Sequence, residues 1–193
     1  MDRDTELSLV EGLRRGDPDA FDAVYEAYRA RVFGFLVRLS RSRTVAEDLL
    51  DETWLRLVSK ARALRADTSL LPWLFTVARN LYWTYRRSCL LEEAWDPAAL
   101  ALWPSPEASS SPFEAAAHDE LQRRLERALG RLSPQHREVL LLVGLEGLTP
   151  GEAAGVCGVT PEALRQRLSR ARAALAQALD LPRGGTQKRS DAP

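Results

Sequence analysis

The sequence predicts an all-α protein built as two small helical domains, and three observations predict it. Apolar residues recur at spacings of three and four over most of the chain, with no clean period-two alternation of the kind a half-buried strand shows. Asp17-Pro18, Ser133-Pro134, Thr149-Pro150 and Thr160-Pro161 each place a capping side chain directly before a proline, the pairing favoured at helix starts. Between the two periodic regions lies a stretch with Pro97, Pro104, Pro106, Pro112 and the run Ser109-Ser110-Ser111, which has the composition of a linker.

Taken in order, residues 19 to 39 read as one helix or two closely joined, with Phe21, Val24, Tyr25, Tyr28, Val32, Phe35, Leu36 and Leu39 on the inward stripe. Another helix runs from about Val45 to Arg62. The polar stretch Arg65 to Ser69 interrupts the pattern before a helix from about Pro72 to Arg87. These elements make a first domain over 1–88, followed by a linker over 89–114, whose Trp95 and Trp103 are expected to dock. A second helical domain covers 115–181. The tail, 182–193, is expected to be disordered.

The 193 residues carry 27 basic and 27 acidic side chains, so net charge argues for no partner class. Their distribution does, because acidic and basic blocks alternate: positive and negative residues number 8 and 12 in 1–53, 7 and 1 in 54–87, 0 and 7 in 88–120, and 12 and 7 in 121–193. Apolar runs such as Val139 to Val143 fall far short of the roughly 20 residues that span a bilayer. Met1-Asp2-Arg3-Asp4 lacks the basic flank and apolar stretch of a secretion signal, so the expected location is the cytoplasm, without membrane insertion. Cys89 and Cys157 have no second thiol or histidine at ligand spacing, and His118 and His136 have no partners in sequence. No disulfide framework, metal site or cofactor is expected.

Three stretches carry chemistry. From Thr149 a short capped helix meets Gly158-Val159, and a second capped helix begins at Pro161, which is the spacing of a helix-turn-helix. In the second helix Leu164, Leu168, Ala171 and Leu175 form the buried stripe. Four arginines against Glu162 cover much of the rest, the electrostatic footprint that duplex DNA requires. By position along the helix, Glu162, Arg165, Gln166 and Ser169 are the base-reading candidates, and Arg167, Arg170 and Arg172 the phosphate contacts, with Thr160 as the cap.

The second stretch is the helix from Pro72 to Arg87, where aromatics interleave with Arg79, Asn80, Arg86 and Arg87. Helical spacing puts Leu74, Ala78, Leu81 and Tyr85 in the core, Trp73, Asn80 and Arg87 on a second face, and Arg79, Tyr82 or Trp83, and Arg86 on a third. Rings beside positive charge suit unpaired bases and their phosphates; equally, such rings serve as core and such arginines as a solvated face. The third stretch, Ala46 to Leu55, puts Asp48, Asp51 and Glu52 on one face, a cluster that can hold Mg²⁺, dock a basic partner or face water.

Together these residues resemble bacterial RNA polymerase sigma factors of the extracytoplasmic function group, over nearly all of Leu7 to Leu179. Three segments carry the resemblance: Ala46-Glu47-Asp48 through Trp54-Leu55, Trp73 through Asn80, and Arg137-Glu138-Val139-Leu140 followed by the helix-turn-helix ending Arg167 through Arg172. It implies a sigma factor that binds core RNA polymerase and directs initiation at promoter DNA. Asp48, Asp51, Glu52 and Trp54 would contact polymerase. The loop from Arg65 to Leu71, with Asp67, Thr68 and Ser69, and the helix carrying Trp73, Arg79, Asn80, Trp83, Arg86 and Arg87 would open the minus-ten element and capture a flipped base. The helix after Thr160 would read the minus-thirty-five element. An anti-sigma factor is implied as a further partner. Asp51, Leu70 and Thr84 depart from the family pattern, and Gly151 and Gly155 weaken their helix unless it is packed.

Two rival classes follow from the same residues. An enzyme using Asp48, Asp51 and Glu52 as Mg²⁺ ligands lacks a second acidic motif to complete a site, so no catalytic residue is expected. A plain helix-turn-helix regulator would use its first domain to sense a ligand.

Overall fold

The computed structural model describes residues 2–92 and 114–180. The linker tryptophans and the tail lie outside them. Among the described residues every regular element is helical. The first half comprises α1 (Arg3–Arg15), α2 (Pro18–Ser40), α3 (Arg43–Lys60), a 3₁₀ turn (Ala61–Ala63) and α4 (Leu70–Glu92). The second comprises α5 (Glu114–Arg131), α6 (Pro134–Leu140), which widens into a π turn (Leu141–Leu145), α7 (Pro150–Cys157) and α8 (Pro161–Asp180).

Local chemistry sets most of these boundaries. The Asp17, Ser42, Ser133 and Thr149 side chains accept amide hydrogen bonds at the starts of α2, α3, α6 and α7, and Thr149 closes a full capping box with Glu152. Helix α1 adds an element to the expected ones, and its signals stand in the sequence. Asp2 caps it through Thr5, Leu7, Val10 and Leu13 recur at three, and Gly16 ends it at φ 77°. Gly12 admits α2 beside it, since a Cβ there would lie 2.5 Å from the Ala20 Cβ.

The core stripe of α4 differs from the expected one. Leu74, Phe75, Ala78 and Tyr82 are buried, Leu81 is only half-buried, and Tyr85 is 39% exposed. Phe75 meets Phe35 of α2 edge-on at 5.0 Å, and so draws the buried stripe to the 75/78/82 side of the helix.

Both halves share a continuous apolar core, closed by arginine contacts. Arg137, 4% exposed, donates to the carbonyls of Leu129, Gly130 and Leu132 at the end of α5 and to that of Leu39 at the end of α2. One guanidinium thereby satisfies orphan carbonyls at two helix C-termini, where a cation is favoured. Burial first, and the nearby Arg41 second, pull its pKa down to about 10. Arg38 pairs with Glu126 at 2.7 Å, and Arg31 donates to both the carboxylate and the carbonyl of Glu146, just past the π turn.

Candidate nucleic-acid and polymerase-binding surfaces

The acidic face of α3 is built on its buried side. Leu49, Leu50, Thr53, Trp54 and Leu57 pack inward, which turns Asp48, Asp51 and Glu52 outward. Glu52 is tied to Arg56 at 2.7 Å, whereas Asp48 and Asp51 are exposed without an ion pair among the described residues. Leu55 and Val58 continue this surface at 63% and 58% exposure. Among the described residues no group of carboxylates, histidines or thiols gathers to hold a metal ion.

Trp54, expected to contact polymerase, is buried and does not belong to that surface. It is 5% exposed, lies 4.9 Å from the Tyr25 ring and meets Phe21 edge-on. Two positions after Glu52, the indole points nearly opposite that carboxylate and joins Leu50, Thr53 and Leu57 on the buried side of α3, against α2. It supports the acidic face from beneath.

In the 65–71 segment, which runs into α4, the side chains of Arg65, Asp67 and Ser69 have hydrogen-bond partners. Asp67 pairs with Arg65 at 3.0 Å, and that hydrogen bond holds its carboxyl below the usual range. Thr68 and Ser69 are half-buried. Along α4, Asn80 and Arg87 are exposed, while Trp73, Arg79, Trp83 and Arg86 are half-buried. Arg79 donates to Asn80 Oδ1 at 3.0 Å, and Arg87 to the Thr84 hydroxyl. Arg86 leans away toward the Tyr82 hydroxyl, on the core side.

Sequence reasoning missed what stands opposite this face. Glu138 of α6, fully buried, accepts from Arg79 Nε and from Trp83 Nε1, and the Cys157 thiol lies 3.7 Å from its other oxygen. Its neighbour Arg137 is the buried clamp described above. The only sequence signal for either was their place in the Arg137 to Leu140 segment. Around Glu138, a cavity of about 300 Å³ is lined by Arg79, Asn80, Trp83 and Arg87 of α4 and by Arg167 of α8.

In the helix-turn-helix, Gly158 leaves α7 at φ 64°, ψ 37°, and its amide and that of Val159 return to the carbonyls of Gly155 and Ala154. Gly151 and Gly155 face outward, while Ala153, Ala154, Val156 and Cys157 fasten α7 to its surroundings. Thr160 caps α8 through the Ala163 amide at 3.2 Å. Leu164, Leu168 and Ala171 are buried, which leaves Glu162, Arg165, Gln166, Ser169, Arg170 and Arg172 exposed and Arg167 half-buried toward α4. Glu162 is paired with Arg165, which holds its carboxyl below the usual range.

The sigma-70 region 2 model matches residues 24–88 and the sigma-70 region 4 model residues 122–175. The chain is 34% identical over 164 residues to the RNA polymerase sigma factor CarQ of Myxococcus xanthus, covering 83% of this chain and 90% of that one. It is also 34% identical over 147 residues to the ECF sigma factor EcfG of Rhodopseudomonas palustris, covering 75% and 77%. Among solved structures, the sigma factor RpoE of Bartonella quintana, in complex with the anti-sigma factor NepR, superposes with a TM-score of 0.72 at 26% identity, covering 84% of this chain and 98% of that one. No described helix is long and apolar enough to cross a membrane. The chain belongs to the RNA polymerase sigma factors of the extracytoplasmic function group, which bind core polymerase and direct initiation at promoters.

Proposed function

We propose that this sigma factor divides its work among three helices. The acidic face of α3, through Asp48, Asp51 and Glu52, docks on a basic surface of core polymerase. The 65–71 segment and the Trp73, Arg79, Asn80, Trp83, Arg87 side of α4 open the minus-ten element and hold a displaced base. The exposed residues of α8 read the minus-thirty-five element, with Arg165, Gln166 and Ser169 at base edges and Arg170 and Arg172 on phosphates. One observation carries this reading: three surfaces of different character stand on three separate helices, acidic on α3, aromatic and basic on α4, arginine-rich on α8.

The chain acts in the cytoplasm, carries no catalytic site and uses no cofactor. An anti-sigma factor regulates it; the likeness to an RpoE chain that is bound to such a factor supports that.

On this reading the two halves must separate before α4 meets DNA, because Glu138 holds Arg79 and Trp83. A carboxylate there takes the acceptors' place that a nucleic acid would fill. Run-off transcription by core polymerase with and without the chain, on promoters with scrambled minus-ten and minus-thirty-five elements, tests the proposal. Promoter-specific transcripts that need both elements are expected. Equal transcription with either element scrambled would overturn the division of labour.

A further inference from the structure

The start of α4 is capped from outside its own neighbourhood. Ser69 precedes Leu70 and has the residue type that caps helices, yet its hydroxyl lies 3.1 Å from Arg3 Nη1. The Leu70 amide, one of the orphan donors of the first turn, instead donates to Glu6 Oε1 at 2.8 Å. Arg3 Nη2 also donates to the Asp67 carbonyl at 2.8 Å, and Arg3 and Glu6 pair at 2.6 Å. Two side chains of α1 therefore hold the backbone at Asp67 and Leu70 and the side chain of Ser69. These contacts reach across 64 to 66 residues of sequence.

The buried Leu70 side chain anchors the end of the segment in the core, and the polar part before it has few other ties. Its own bonds are the Thr68 amide to the Arg65 carbonyl at 3.0 Å and the exposed Arg65–Asp67 pair, whose side chains are 83% and 68% exposed. An exposed pair of this kind is screened and holds geometry weakly. Glu6, by contrast, is only 14% exposed, and its negative charge sits at the positive end of the α4 dipole. Val10 and Leu13, buried further along α1, anchor the helix that presents both side chains.

We propose that Arg3 and Glu6 are positioning residues for base capture, holding the 65–71 segment in the shape in which Thr68 and Ser69 meet a displaced minus-ten base. This rests on the reading of that segment given above. A preformed loop loses less conformational freedom when a base arrives, and so discriminates between bases more sharply than a loose one.

The test uses holoenzyme assembled from core polymerase and the full chain, with each of the four bases placed in turn at every minus-ten position. Thr68→Ala and Ser69→Ala identify the position that the segment reads, by flattening preference there and nowhere else. Glu6→Ala and Arg3→Ala are expected to flatten preference at that same position, from about tenfold toward twofold. Glu6→Gln, which keeps an acceptor for the Leu70 amide, should retain most of it. If Glu6→Ala lowers transcription from all promoters alike, its role is folding stability only and the proposal is overturned. If Thr68→Ala and Ser69→Ala alter no base preference, the reading of the segment fails, and the proposal fails with it.

Discussion

Glu138 accepts the Arg79 guanidinium at 2.8 Å with no exposure of its own, across the boundary between the two halves of the molecule. The same oxygen accepts from the Trp83 indole at 2.7 Å, so one carboxylate occupies a cation and a ring on the face that would meet DNA. Breaking a buried pair by removing one partner costs about 3–5 kcal/mol when the other stays buried; here Arg79 regains water once the halves part, so the cost falls on closure.

Glu138→Gln is expected to shift the free chain toward an open form. Small-angle scattering should show a larger radius of gyration, and binding of a single-stranded minus-ten oligonucleotide should tighten about tenfold. A variant as compact as the parent, with unchanged oligonucleotide affinity, would show that Glu138 does not hold the halves together.

Reversing Asp48 and Glu52 to lysine is expected to weaken core binding by several kcal/mol at moderate salt while far-ultraviolet dichroism stays unchanged. Trp54 should behave differently, because it is core. Trp54→Ala is expected to lower stability by about 3–5 kcal/mol. Trp54→Phe should cost much less, since the buried Trp54 Nε1 has no hydrogen-bond partner to lose. Denaturant midpoints for both variants check this, and equal losses would contradict the packing role.

The contrast between Asp48 and Trp54 shows where the sequence was legible. Capping pairs such as Thr149-Pro150 and the turn at Gly158 are local, so helix starts and the helix-turn-helix could be read directly from neighbouring residues. The choice of stripe on α4 was not local. Both 74/78/81/85 and 74/75/78/82 fit a helical period, and Phe35, forty residues away on α2, selects the second. Arg137 and Glu138 were illegible for the same reason. A charged dipeptide reads as solvated surface until the chain ends of α2 and α5 and the side chains of α4 close around it.

Cys157 offers a probe of the closed arrangement. Burial first, then the Glu138 carboxylate, push its thiol up to about 12 from an ordinary value near 9. The unfolded chain releases this proton at lower pH than the folded one, so the contribution to stability is present below about pH 9 and is lost as pH rises toward 12. The slope is up to about 1.4 kcal/mol per pH unit. The window from 9 to 10 is cleanest, because Arg137, with its folded pKa near 10, acts in the opposite sense above it. Cys157→Ala should remove the slope in that window. At pH 8 a disulfide reagent is expected to modify the half-buried Cys89 first and Cys157 only slowly, with faster modification in Glu138→Gln.

In α8, Arg165→Ala or Gln166→Ala is expected to change which upstream sequence is preferred, while Arg170→Ala weakens binding to all sequences alike. Losing one phosphate contact should flatten the dependence of log affinity on log salt by about one unit. Competition binding of holoenzyme across a panel of minus-thirty-five variants checks this. Identical profiles for Arg165→Ala and Arg170→Ala would remove the distinction between reading and positioning.

Strand opening gives the last prediction. Asn80 is exposed on α4, its Oδ1 held by Arg79, one face away from the buried Leu74, Phe75 and Ala78. An amide can hydrogen-bond the edge of an unpaired base while a neighbouring ring stacks on it, and it gains little from a base still paired in the duplex. Asn80→Ala should therefore leave core binding and upstream recognition nearly intact and fail at melting. A fluorescent base analogue in the minus-ten element should unstack with the parent holoenzyme and stay stacked with the variant. Stacking is worth about 1–3 kcal/mol per base, so a loss of about tenfold or more in open-complex formation is expected, and a pre-melted promoter should restore most of it. Because Asn80 also orients Arg79, which Glu138 holds in the closed chain, the measurement belongs on assembled holoenzyme, where a change in closure does not enter. Normal melting by Asn80→Ala, or no rescue on the pre-melted template, would make this side of α4 a packing surface for the second half.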